Sequence, residues 1–205
     1  VAQLGFEVRD LEIFASRTVA DGTAAEIVHR EHQTSVEVRD RDGLSFFVNT
    51  AEPLESDPAA DGRLSVNMLW LTPDVPAAIT DLSNIGARLL KTADNGHIAD
   101  FAAKNSGKIM AHFAKTAAHG PLGFGYHGKV EELLERLLAA GIDAHLIDES
   151  YGRTLHITNP DFADQPSNPT GPTIWVNEED QPDQYGYTAP SGTAPQAARL
   201  DRDSN

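Results

Sequence analysis

The chain has no cysteine among its 205 residues, which excludes disulfides, thiolate metal sites and a cysteine nucleophile at once. It has no apolar run long enough to span a bilayer, and its first residues show no signal-peptide pattern. A cytoplasmic protein without a membrane partner is therefore expected. Basic residues are scarce, 16 Lys and Arg against 31 Asp and Glu, for a formal charge of −15 and a pI near 4.7. Nucleic-acid binding needs a basic face, so no nucleic-acid partner is expected. The acidic balance is compatible with cationic ligands, although net charge speaks to solubility before function. Neither a G-x-S-x-G elbow nor a Walker loop occurs.

Periodicity is what the chain does have, and it is clearest between Leu122 and Glu179. Val130, Leu133, Leu134, Leu137 and Leu138 form one apolar stripe at helical spacing, with Glu131, Glu132, Glu135 and Arg136 opposite. Gly141 supplies the stop. The period then switches to two, which predicts strands at Ala144–Asp148, Thr154–Thr158 and Thr173–Asn177, with a turn at Tyr151-Gly152. The same order can be read twice more. A strand from Gln3 leads to Asp10 as a cap, a helix over Leu11–Ala20, the stop Gly22, and strands at Glu26–His32, Ser35–Arg39 and Leu44–Asn49. A strand at Val66–Leu71 leads to Asp74, Pro76, the stripe Ile79, Leu82 and Ile85, the stop Gly86, and three further strands up to Ala114. An offset of 64 carries Asp10, Gly22 and Gly43 onto Asp74, Gly86 and Gly107, and an offset of 55 carries Gly86 onto Gly141. That points to internal repetition. The expected layout is a degenerate β-α-β-β-β module over 1–52, a Pro/Asp-rich linker over 53–63, full modules over 64–115 and 116–187, and a disordered Pro/Ala/Ser tail over 188–205.

Two further patterns invite a chemical reading. Gly123-x-Gly125-x-x-Gly128 precedes a helix, as a dinucleotide fingerprint does, with Asp148 where a ribose-binding acid is expected. The segment Thr116–Pro121 intervenes where the fingerprint needs a strand, and hairpins follow Asp148 where a second helix is needed. A glycine-thinned strand and turn is the better expectation. Of the eight histidines, His29 and His32 face opposite sides of a strand, while His112, His119 and His127 are scattered, so structural roles are expected; His156 reads as a half-buried packing residue. Glu178-Glu179-Asp180 reads as a solvated run at a strand end.

Asn67-Met-Leu-Trp-Leu-Thr-Pro-Asp74-Val-Pro, the strand Tyr151-Gly-Arg-Thr-Leu-His-Ile-Thr-Asn-Pro-Asp161 and Thr173-Ile-Trp-Val-Asn-Glu resemble segments of the vicinal oxygen chelate superfamily, the glyoxalases, bleomycin-resistance proteins and extradiol dioxygenases. The resemblance implies an α+β fold, with repeated β-α-β-β-β modules forming curved mixed sheets around a pocket. It also implies metal positions on the first and last strand of each module, which fall on Gln3, Asn67 and Leu122 and on Phe47, Ala111 and Trp175. None carries an imidazole or a carboxylate, so no metal and no cofactor are expected. By the family's alternation, Asn67, Leu69, Phe124, Tyr126, Trp175 and Asn177 should face the pocket and bind ligand, with Trp70 under the helix; ordinary core packing is the alternative for Trp175 and Phe124. The leading expectation is metal-independent binding or sequestration of a small organic ligand, cationic or aromatic, as in the bleomycin-resistance branch. A glyoxalase-like or dioxygenase-like enzyme with displaced ligands, and a degenerate module serving assembly, are the alternatives. Three modules do not pair evenly, so the first either flanks the sheet or completes a barrel in a homodimer.

Overall fold

Among the described residues three α-helices end in the same way, and the first two also begin in the same way. A computed structural model describes residues 3–30, 33–52, 61–104, 107–149, 152–162, 172–179 and 186–190. Helix α1 (Leu11–Ala20) is capped by Asp10, whose carboxylate accepts from the Ile13 N–H at 2.9 Å. Helix α2 (Val75–Asn84) is capped by Asp74 in the same way, through the Ala77 N–H at 2.9 Å, and carries Pro76 in its first turn. Helix α3 (Val130–Ala139) has Lys129 at the cap, with no side-chain bond of its own. Its first N–H, that of Val130, instead donates to Glu178 Oε2 at 3.1 Å, from a strand 48 residues away. All three helices stop at a glycine of positive φ, Gly22, Gly86 and Gly141, a conformation other residues resist.

Each helix follows one strand and precedes three. The strands are β1 (Gly5–Val8), β2 (Ala24–Arg30), β3 (Gln33–Arg39) and β4 (Ser45–Thr50) in the first unit. The second unit has β5 (Leu64–Thr72), β6 (Arg88–Ala93), β7 (Ile98–Ala102) and β8 (Lys108–Phe113), and the third has β9 (Ala118–Tyr126), β10 (Ala144–Glu149), β11 (Gly152–Thr158) and β12 (Thr173–Glu178). A two-residue strand, β13 (Tyr187–Thr188), adds antiparallel to β6, so Thr188 belongs to the sheet and not to the tail. The first unit makes a sheet in the order β1-β4-β3-β2. The other two fuse into one nine-stranded sheet, β10-β11-β12-β9-β5-β8-β7-β6-β13, joined where β5 and β9 pair antiparallel. This is an α+β fold of repeated β-α-β-β-β units with a curled mixed sheet. The central connector (53–60), the tail beyond Pro190, and His32, Tyr151, Gly171 and Asp180 lie outside the described residues. Among the described residues no helix is long and apolar enough to cross a membrane.

Strand β9 differs from expectation in two ways. It begins at Ala118 and runs through Pro121 and the glycines, so Gly123 and Gly125 sit inside a strand paired on both sides, with β5 and β12. A phosphate-binding turn is not what these glycines build. Proline is tolerated here because the β5–β9 register shifts between Met68 and Trp70, a bulge that spares its missing N–H. The strand is also displaced by one residue relative to its helix. Trp70 and Tyr126, each fully buried beneath its own unit's helix, stand five and four residues before Val75 and Val130. The offset of 55 that superposes the helices is therefore 56 in the strands.

The cores follow from this layout. Leu4, Val36, Val38, Phe46 and Val48 of the first unit pack with Trp70, Val75, Leu82, Phe101 and Ile109 of the second in one apolar cluster, with Phe46 edge-on to Trp70 at 5.7 Å. A second cluster joins Tyr126, Val130, Leu155 and Val176 under α3. The seam between the first two units also has a polar side. Thr23 Oγ1–H donates to Asp81 Oδ1 at 2.7 Å, and the Thr72 hydroxyl donates to Asp42. His119 of β9 bridges as well, accepting from the Leu4 N–H at 3.1 Å on Nδ1 and donating from Nε2 to the Ser45 carbonyl at 3.1 Å.

Candidate functional site

The concave face of the nine-stranded sheet encloses a cavity of about 370 Å³ between the second and third units. Its floor can be read from the register, since directly paired residues share a sheet face. One row runs His156, Trp175, Gly123, Asn67, Lys108 across β11, β12, β9, β5 and β8. The next runs Leu69, Met110, Asp100, Lys91 across β5, β8, β7 and β6. Leu71, Leu90, Ile98, Pro121 and Tyr187 complete the apolar wall, and Asn177, Thr154, Arg153 and Glu149 close the far side.

Of the six residues expected at the pocket, Asn67, Leu69, Trp175 and Asn177 line this cavity. Phe124 and Tyr126 do not. They face the opposite side of β9, with Tyr126 1% exposed in the core under α3 and Phe124 packed against it. The cause is the one-residue slip between β9 and α3, because shifting a strand by one exchanges its faces. The residues of β9 that face the cavity are Pro121 and the glycines Gly123 and Gly125. The glycines' lack of side chains is used: a Cβ on Gly125 would lie 2.0 Å from Glu179 Oε1, so the glycine leaves room for that carboxylate.

The chemistry is carried by residues that the sequence pattern did not single out. Asp100 Oδ2 pairs with Lys91 Nζ at 3.3 Å, and Glu179 Oε2 pairs with Lys108 Nζ at 2.5 Å. Arg153 binds both Glu131 and Glu178. Glu178 is 5% exposed and Glu179 is half-buried on an ammonium, so these two acids, expected to be solvated, are built into the structure. Burial pushes the Asp100 carboxyl above the ordinary carboxylate range, against the opposing pull of Lys91. Two buried acceptors on the cavity face have no partner, Asn67 Oδ1 and Asp100 Oδ1. A charged residue in the middle of the short apolar strand Ile-Ala-Asp-Phe-Ala is the one signal that could have drawn attention to Asp100.

The superfamily that the sequence resembles implies a divalent metal in such a cavity, and the residues here do not fit one. The cavity-facing row carries a single imidazole, His156, with Trp175, Gly123, Asn67 and the ammonium of Lys108. Ala111 is fully buried against Trp70, and Leu122 lies on the other face of β9. Among the described residues no three His, Asp or Glu side chains converge as a ligand set. Two of the lining carboxylates, Asp100 and Glu179, are already held by lysines.

The chain matches no protein-family model and no curated protein sequence. Solved structures do resemble it. The 2,3-dioxygenase LapB from Pseudomonas sp. KL28 superposes with a TM-score of 0.56 at 12% identity, covering 85% of this chain and 70% of that one. The substrate complex of homoprotocatechuate 2,3-dioxygenase from Brevibacterium fuscum gives 0.54 at 16% identity, covering 89% and 64%. The 2,2',3-trihydroxybiphenyl 1,2-dioxygenase from Sphingomonas wittichii strain RW1 gives 0.52 at 10%, covering 85% and 68%. At these identities the likeness is one of fold, and the fold is that of the extradiol dioxygenases, which belong to the vicinal oxygen chelate superfamily.

Proposed function

We propose that the cavity between the second and third units binds a small hydroxylated aromatic compound without help from a divalent metal. The observation that supports this most directly is the pair of buried, unpartnered acceptors, Asn67 Oδ1 and Asp100 Oδ1, on two residues that line the cavity. A buried acceptor without a donor costs about 1–3 kcal/mol, which a ligand hydroxyl in that position recovers. Trp175, Leu69, Leu71 and Met110 provide flat and aliphatic surface for a ring. The cavity lining holds three cationic side chains, Lys91, Lys108 and Arg153, against four acidic ones, Asp100, Glu149, Glu178 and Glu179. It does not share the strong acidity of the whole chain, which favours an uncharged aromatic ligand over a cationic one. The fold comparison agrees in kind, since one similar structure is a complex with 3,4-dihydroxyphenylacetate.

The test is a thermal-shift and calorimetric screen of phenols, catechols and aromatic amines with chelator present. A ligand at a hundred times its Kd adds about 2.7 kcal/mol to stability. Trp175→Ala and Asn67→Ala should abolish that gain; a screen in which no phenol stabilises the protein refutes the reading. The likeness to extradiol dioxygenases favours a second reading, a dioxygenase-like enzyme. Oxygen uptake with catechols after incubation with iron or manganese, lost on chelation, would favour that second reading.

A further inference from the structure

Asp100 sits in the middle of β7, between β6 with Lys91 and β8 with Lys108. Lys91 is its direct cross-strand neighbour and holds one carboxylate oxygen, while Lys108 is one diagonal step away on the other side. The second oxygen, Oδ1, is buried at the cavity and bonded to nothing. A structural ion pair would use the carboxylate fully; this one leaves a buried acceptor without a partner on a residue that lines the cavity. Building on the ligand class proposed above, we infer that Asp100 is the proton acceptor of this cavity, taking the proton of a phenolic hydroxyl so that the ligand is held as its phenolate beside Lys91 and Lys108.

The step balances within the site. The hydroxyl O–H bond breaks, its proton moves to Asp100 Oδ1, and the electron pair stays on the ligand oxygen. Asp100 becomes a neutral acid and the phenolate takes over its negative charge, so no net charge is created in the low-dielectric cavity. Burial supplies the direction, since it raises the proton affinity of the carboxylate. A phenolate spreads its charge over the ring and tolerates the apolar wall better than a carboxylate does. The other charged or titratable groups that line the cavity with Asp100 are Lys91 from β6, Lys108 and His112 from β8, Tyr187 from β13 and Glu179 beyond β12, with Glu149, Arg153 and Glu178 across the cavity. Glu179 is engaged by Lys108, and His112 Nδ1–H donates to the Phe113 carbonyl at its own strand end. Of these groups Asp100 is the one with a buried side-chain oxygen that has no hydrogen-bond partner.

The probe is 4-nitrocatechol, whose visible absorbance separates phenol from phenolate. It is titrated into the full chain with chelator present, across roughly pH 5 to 8. The bound probe should ionise at least about one pH unit below the free probe, a tenfold shift. At saturation Asp100→Asn should ionise the bound probe no more readily than water does, and Asp100→Glu should restore most of the shift. Proton release gives a second readout that needs no variant: binding to the wild-type chain should release no proton to buffer, because Asp100 keeps it. A neutral bound spectrum, a phenolate spectrum that survives in Asp100→Asn, one that disappears with chelator, or a full proton released on binding each overturns the inference while leaving the ligand class standing. Failure of every phenol to bind removes both.

Discussion

Asp40 closes the turn between β3 and β4, and its carboxyl is 8% exposed as a residue. Its Oδ1 accepts from the Leu44 N–H at 2.6 Å, and the Asp42 and Asp81 carboxylates lie close enough to repel it. Burial, with those neighbours, pushes its pKa from 3.8 up to about 6. The folded chain thus prefers Asp40 protonated. That preference stabilises the fold fully below the unfolded value near 4 and is lost as pH rises through about 6. Each pH unit of displacement is worth about 1.36 kcal/mol, so above pH 7 the buried charge costs about 3 kcal/mol relative to acid. Asp40→Asn removes the charge while its amide oxygen still accepts from Leu44. The variant should match the wild-type chain at pH 4 and gain about 1–3 kcal/mol at pH 8. Urea unfolding at intervals between those limits measures the difference, with an unchanged m value as the check on the unfolded state. A gain that is the same at every pH, or a loss at pH 8, refutes the assignment of the penalty to this carboxylate.

The two tryptophans should part company. Trp70→Ala, in the shared core, should cost about 3–5 kcal/mol in urea unfolding, while Trp175→Ala at the cavity should cost less than half of that and instead weaken phenol binding by at least tenfold in calorimetry. Gly120→Ala brings a Cβ to 2.4 Å from Leu69 Cβ and 3.1 Å from its carbonyl oxygen, so it should lower stability by about 1–3 kcal/mol, seen as a lower urea midpoint. His119→Ala leaves the buried Leu4 N–H without its acceptor and should cost about 1–3 kcal/mol, with faster amide exchange at Leu4 as the local signature.

The fold was legible wherever its determinants are local. Asp10 and Asp74 announce their helices because the cap bond spans three residues, and Gly22, Gly86 and Gly141 end them for reasons of backbone sterics alone. The stripe of α3 and the alternation of β11 and β12 need no knowledge of partners. Asn67, Leu69, Trp175 and Asn177 were placed at the cavity because their strands could be counted from those local marks. What could not be read is long-range. Lys91, Asp100, Lys108 and Glu179 meet only after four strands have paired in a particular order, and nothing in their sequence neighbourhoods fixes that order.

Tyr126 and Glu178 show how a single long-range contact defeats a local count. Counting back from a cap works for β5 because Asp74 lies between strand and helix and bonds the first turn itself. After β9 the cap position holds Lys129, which makes no such bond, and the link from core aromatic to helix is one residue shorter. The missing acceptor comes from Glu178, which reaches across from β12 to the Val130 N–H and is held in turn by Arg153. Because successive strand residues point to opposite faces, Glu178 serving the helix side sends Glu179 to the cavity side, onto Lys108 and into the space above Gly125. Two adjacent acids that look like solvated charge are thereby divided between capping α3 and shaping the cavity. The same alternation that put Phe124 and Tyr126 in the core requires glycine at the cavity face of β9, since any side chain on Gly125 would occupy the place of Glu179.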